Sequence, residues 1–173
     1  MTEVLEDVVL VETRGQVGIM TLNRPRVHNA VSREVTEKMA AAIDGFEADN
    51  DIRVLVVTGA GGQTFCAGAD LKAVMSLRPT VPELGGFAGI TARTFRKPII
   101  AAVNGTAVGG GMEICLACDL VVAEEHASFG LPEVRRGIVA AAGGLERLPR
   151  CLPPAVAMEI ILTAERIDAR RAL

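Results

Sequence analysis

The sequence predicts an α/β fold with mainly parallel sheets, and two observations carry that prediction. Short β-branched runs alternate with segments of helical periodicity along most of the chain. Each strand-like run ends in a Gly- or Asn-containing turn that feeds the next helix, as crossover connections require. The length of 173 residues suits one core domain over 1–173, able to bury a real hydrophobic centre.

The elements follow in order. VGIMTL (17–22) reads as a strand that breaks at Asn23 and Pro25. A helix follows Ser32, with Val35, Met39, Ala42, Ile43 and Phe46 on one face. VLVVTG (54–59) has the composition of a strand buried on both faces. AGGQTFCAGAD follows it as a turn region, and LKAVMSL as a short helix. PIIAAVNG (98–105) is a third strand closed by Asn104-Gly105, after which a helix begins in GGGMEICLA. LVVAEEHASFG (120–130) is a fourth strand-rich segment. Residues 78–90, RPTVPELGGFAGI, are rich in Pro and Gly and are expected to form a flexible surface excursion. From about 153 a helical region begins, with a helix to Thr163 and another starting at Asp168. That last helix stops within its first turns, so further chain beyond Leu173 is expected.

Composition excludes several function classes. Half of the residues are hydrophobic, 23% are charged, and the net charge is −3 without a basic stripe, which argues against nucleic acid as a partner. No apolar run approaches the ~20 residues of a membrane span. The opening MTEVLEDVVLVETRG is acidic and unlike a signal peptide, so a cytoplasmic location is expected. In that compartment four cysteines do not suggest disulfides. Cys115 and Cys118 have C-x-x-C spacing, but without a second pair they read as buried structural thiols and no metal site is expected.

The chemistry gathers in NGTAVGGGMEICLACDL (104–120). Gly109–Gly111 at a helix start allow two readings. Bare backbone N–H groups there suit an anion or a developing oxyanion. Alternatively, the glycines permit tight packing against a neighbouring strand. Glu113 sits in a segment that is apolar on nearly every side, where burial raises a carboxyl pKa toward the range useful for proton transfer. The plainer role is a first-turn acid complementing the helix dipole. Glu133, in ASFGLPEVRRGI, has a similar apolar lead-in, and two carboxyls on one pocket can divide acid and base work. TGAGGQTFCAGADLK (58–72) lacks the full dinucleotide fingerprint, because Thr64 stands where the third glycine belongs. No P-loop and no nucleophile elbow occur, and His28 and His126 read as loop bystanders. The Ala67-Gly68-Ala69 turn remains as a second candidate backbone donor.

Four segments in order, LNRPRVHNA (22–30), FCAGADLK (65–72), KPIIAAVNGTAVGGGMEICLACDL (97–120) and ASFGLPEVRRGI (127–138), resemble the enoyl-CoA hydratase/isomerase (crotonase) superfamily. The resemblance implies a spiral of ββα units and an acyl-CoA substrate in lipid metabolism, with no cofactor beyond the coenzyme A of that substrate. It implies Glu113 and Glu133 as catalytic acids and the Ala69 and Gly110 N–H groups as an oxyanion hole. It also implies coenzyme A contacts at Arg26, Val27, Ala67, Gly68, Asp70, Leu71 and Gly109. Both acids together favour hydration of a 2-enoyl-CoA over double-bond isomerisation. GGFAGIT and the stretch from Leu148 to Leu173 further resemble the carnitinyl-CoA dehydratase branch, although Tyr and Trp, which build cages for quaternary ammonium groups, are absent. Alanines at 140–142 replace a proline common in the family, and the pocket wall there is expected to be looser. The 78–90 excursion is expected to shape the acyl end of the pocket. The family continues as a helical region that supports trimers or dimers of trimers, and a homotrimer is expected where that region is present. A non-catalytic acyl-CoA binder is the alternative of another class, and a nucleotide-binding module the weakest.

Overall fold

The computed structural model describes residues 7–70 and 82–173. The expected helix over 71–77, the start of the 78–90 excursion and Leu71 lie outside the described residues.

Two sheets run side by side. The first contains β1 (Val9–Arg14), β2 (Val17–Leu22), β3 (Val54–Gly59), β5 (Ile99–Val103) and β7 (Leu120–Ala123), in that spatial order. β1 pairs antiparallel with β2, and every later pairing in this sheet is parallel. The second sheet is β4 (Thr64–Cys66), β6 (Thr106–Val108), β8 (Ser128–Gly130) and β9 (Ile167–Asp168), parallel except for β8 with β9. Each turn of the chain lays one strand in the first sheet and the next strand in the second: β3 then β4, β5 then β6, β7 then β8. A helix follows β6, namely α2 (Gly110–Ala117). This is the expected α/β spiral with mainly parallel sheets.

The core lies between the first sheet and α1 (Arg33–Ala48). Ser32 caps α1 by accepting the Val35 N–H at 3.4 Å. The stripe Val35, Met39, Ile43 and Phe46 is buried against Met20, Leu22, Leu55 and Val57, with Ala42 at its margin. Strands β2 and β3 alternate buried and half-buried positions instead of burying both faces, because the side away from α1 is incompletely covered. α3 (Gly144–Cys151), α4 (Pro154–Thr163) and the short α5 (Ala169–Ala172) close the chain, α5 capped by Asp168 through the Arg171 N–H at 2.7 Å. Among the described residues no helix is long and apolar enough to cross a membrane.

The described part of the Pro/Gly-rich stretch is not a surface excursion. It forms tight 3-10 turns at Pro82–Leu84 and Phe87–Gly89, and Ala88, Gly89 and Ile90 are buried. A Cβ on Gly89 would stand 2.9 Å from the Ala40 nitrogen. The glycine there serves close approach to α1, not flexibility.

Candidate active site

The site is built around the start of α2. Gly109 has φ 58° and ψ −127°, a backbone conformation that disfavours side chains, and it turns the chain from β6 into the helix. Its N–H donates to the Gly130 carbonyl at 2.9 Å, which ties the turn to the end of β8. A Cβ on Gly111 would stand 2.1 Å from the Cys66 carbonyl oxygen, so this glycine serves strand packing. A Cβ on Gly110 would meet the Phe87 ring at 2.4 Å. The triplet therefore does combine a turn with close packing, and it leaves the Gly110 N–H in the first turn, where no intrahelical acceptor exists.

The second candidate donor lies beside it. Gly68, at φ 92°, packs so closely that a Cβ on it would be 3.1 Å from the Gly110 nitrogen. Val31 N–H donates to the Gly68 carbonyl at 2.8 Å and Asp70 N–H to the Val31 carbonyl at 2.9 Å. Those two bonds straddle Ala69 and leave its N–H without an acceptor among the described residues. Ala69 and Gly110 thus lie on adjoining backbone segments.

Both acids come to the same place. Glu113, one turn into α2, is only 4% exposed. Its Oε1 accepts the Gly144 N–H at 2.9 Å, and the Ala142 N–H lies near enough to act on its charge. Burial raises its pKa above the usual carboxylate range, the Glu133 charge adds to the rise, and the two N–H groups and Arg147 oppose it. Glu133 sits on the 3-10 turn Pro132–Arg136, behind the buried Phe129–Leu131 lead-in. Burial raises its pKa too, against a smaller lowering by a backbone hydrogen bond. Its Oε2 is buried with no hydrogen-bond partner among the described residues, and its Oε1 lies 3.1 Å from where a Gly109 Cβ would be. Two carboxyls with raised pKa therefore flank the glycine turn. A cleft of about 610 Å³ lies on the outer side of the same 3-10 turn, lined by Pro132, Arg135, Arg136, Ala164, Glu165 and Arg166. Neither acid lines it, so it is separate from this chemistry.

The family model for enoyl-CoA hydratase/isomerase matches residues 12–173. The chain belongs to that family. It is 43% identical over 164 residues to a carnitinyl-CoA dehydratase of Proteus mirabilis, covering 93% of this chain and 62% of the relative. It is 40% identical over 168 residues to a probable enoyl-CoA hydratase of Rhizobium meliloti, covering 96% and 65%. Among solved structures, an enoyl-CoA hydratase from Mycobacterium marinum superposes with a TM-score of 0.91 at 48% identity, over 96% of this chain and 66% of that one. A carnitinyl-CoA dehydratase from Mycobacterium avium superposes with a TM-score of 0.90 at 50% identity, over 95% and 66%. The chain thus spans a little under two thirds of the length of these relatives. The fold is the crotonase fold.

The remaining site residues of this crotonase-family chain divide in two. Arg26 and Val27 are exposed on the 3-10 turn Pro25–Val27, and Ala67 is exposed at the mouth of the glycine turn. Asp70 is instead engaged within the chain: Arg24 Nη2 donates to its Oδ2 at 2.9 Å. Sequence reasoning missed Arg24, and also Asn29, which is 1% exposed. Asn29 Oδ1 accepts the Arg24 N–H, and its Nδ2 donates to the Ala60 and Thr64 carbonyls at 3.0 and 2.7 Å. An asparagine next to a proline turn was a signal that could have found it. Phe87, Gly144 and Arg147 carried no such signal. The Cys115 and Cys118 thiols are free, and burial pushes Cys118 up to about 12 and Cys115 well above its usual value.

Proposed function

We propose that this chain catalyses reversible hydration of a 2-enoyl-CoA thioester. The observation that carries the proposal is a pair of carboxyls, the buried Glu113 and the half-buried Glu133 with its shielded Oε2, flanking the turn that presents the Gly110 N–H. The thioester oxygen would accept hydrogen bonds from the Ala69 and Gly110 N–H groups, and the N-terminus of α2 would favour the enolate charge. Loss of one such donor costs about 3–4 kcal/mol of barrier in comparable sites.

In this reading the surroundings of the two acids favour one division of their parts. Glu113 accepts the Gly144 N–H, which fixes its direction and opposes the rise that burial gives its pKa, and it takes a proton from water. The resulting hydroxide adds to C3. Glu133, half-buried, with its shielded Oε2 lacking a partner among the described residues, holds its proton and delivers it to C2. In this reading both acids act on the same face of the enoyl group, and the elements of water add syn. In this reading the coenzyme A portion passes the exposed Pro25–Val27 turn and Ala67, with Gly68 and Gly109 beside the pantetheine end and Asp70 supporting the loop. No cofactor beyond coenzyme A is required. A cytoplasmic location, assembly as a homotrimer or dimer of trimers, and a single core domain with a helical region from about 153 belong to the same reading.

A second reading is dehydration of carnitinyl-CoA, favoured by the relatives that carry that name. Against it stands the absence of Tyr and Trp from these 173 residues, whose aromatic faces for a quaternary ammonium are Phe side chains. The test follows loss of the enoyl-thioester absorbance of crotonyl-CoA, with Glu113→Ala and Glu133→Ala run in parallel. Turnover lost in both variants supports hydration. Turnover kept without Glu113 points to isomerase chemistry. A folded parent that binds crotonyl-CoA yet leaves it unchanged sinks the proposal and favours the acyl-CoA binder.

A further inference from the structure

Arg147 lies half-buried on α3, and among the described residues no carboxylate stands within ion-pair distance of it. Among those residues its guanidinium is answered by backbone carbonyls alone. Nη1 donates to Ala142 at 3.2 Å and Nη2 to Thr91 at 2.7 Å. The group rests directly on Gly143, where a Cβ would stand 1.8 Å from Nη1. A partly desolvated cation without a counter-ion is a poor stability device, so the identity of the two carbonyls matters.

Ala142 belongs to the loop whose Gly144 N–H donates to the Glu113 carboxylate at 2.9 Å. Thr91 belongs to the opposite wall. Its Oγ1 accepts the Phe87 N–H at 2.9 Å, and the Phe87 ring is the group packed on Gly110. One rigid fork therefore joins the cradle of the acid to the segment that covers the proposed oxyanion donor.

We propose that Arg147 is a positioning residue, setting the place of Glu113 relative to the Gly110 N–H by clamping the 142–144 loop to the Thr91 wall. It acts through Ala142 and Gly144, and it makes no hydrogen bond to the Glu113 carboxylate. The part of this proposal that concerns turnover rests on the hydration reading. The charged groups whose fields reach Glu113 among the described residues are Glu133, from the 3-10 turn, and Arg147, from α3. Glu133 raises the Glu113 pKa and Arg147 lowers it, so removal of the guanidinium moves the titration upward.

The test compares Arg147→Gln and Arg147→Lys with the parent. Carboxyl-labelled glutamate is followed by ¹³C NMR, the Glu113 signal being assigned by its loss in Glu113→Gln. In Arg147→Gln the Glu113 titration is expected to move to higher pH. Its kcat on crotonyl-CoA should fall roughly tenfold to a hundredfold, with KM changed far less. Arg147→Lys keeps the charge but not the two-armed reach, so its titration should stay near the parent while kcat recovers only in part. A Glu113 titration that does not move in a folded Arg147→Gln overturns the proposal, whatever the activity. If the parent itself does not hydrate crotonyl-CoA, the hydration reading fails alone, and the titration still decides the role of Arg147. Should Arg147→Gln fail to fold, exchange of the Ala142 and Gly144 amides in Arg147→Lys decides: faster exchange supports the clamp, and parent-like protection overturns it.

Discussion

Arg24 and Asp70, 46 positions apart, form a 2.9 Å ion pair beneath the Ala69 turn. The second arm of the same guanidinium donates to the Ala30 carbonyl at 2.6 Å, so one side chain braces both strands of the Val31–Ala69 bridge. Both side chains are largely shielded, at 22% and 18% exposure, which distinguishes this pair from a surface ion pair. Arg24→Ala is expected to cost about 2–3 kcal/mol in urea unfolding, with Asp70→Asn costing less because one hydrogen bond survives. Both should lower kcat on crotonyl-CoA by loosening the Ala69 donor. An activity identical to the parent in a folded Arg24→Ala would show that the donor turn holds its place unaided.

The glycines of the site should separate by what each would strike. Gly111→Ala drives a methyl into the Cys66 carbonyl, a backbone atom that cannot swing away, and about 3 kcal/mol or more of stability should be lost. Gly110→Ala strikes the Phe87 ring instead, and a side chain can move. That variant should fold but lose activity, and the double variant Gly110→Ala with Phe87→Ala should recover part of it. Gly45, exposed in α1 with open space around it, is the control: Gly45→Ala should stabilise by about 0.5–1 kcal/mol. Thermal melts that rank these three alike would refute the packing account.

Burial raises the Glu133 pKa in the folded protein. Between its unfolded and folded pKa values the native state binds the extra proton, so stability falls as pH rises through that window. Glu133→Gln removes the titration. Its stability relative to the parent should therefore be most favourable at about pH 8 and should decline toward the ordinary carboxylate range near 4.3. Denaturant melts across that range check the sign, and a constant difference would mean that Glu133 titrates normally. The same variant should have no hydration activity.

Cys66, Cys115 and Cys118 are shielded thiols, with Cys66 and Cys118 pushed up to about 12 by burial, while Cys151 is exposed. A thiolate reagent at neutral pH should label one cysteine quickly in the native protein and all four after unfolding. Rapid native labelling of a second site, located by peptide mapping, would show that the α2 end opens.

Local pattern was enough for much of this molecule. Periodicity over a few residues revealed β2, α1 with its Ser32 cap, β3, β5 and α4, and the glycine triplet with its acid marked the start of α2. The same pattern marked Glu113 and Glu133 as acids in apolar surroundings. It could not reveal β4, β6 or β9, because two or three residues are too short for alternation to register. It also missed α3, which begins at Gly143-Gly144, contains Pro149, and so reads as loop. The buried 82–90 stretch shows the converse error, since glycine for close approach and glycine for flexibility look alike along the chain. Which N–H groups meet Glu113, what closes on Gly110 and where Arg147 reaches are contacts across 31, 23 and 56 positions. Desolvation and hydrogen bonding depend on what stands opposite a group in space, and only the spiral, by laying successive turns of chain against each other, decides that.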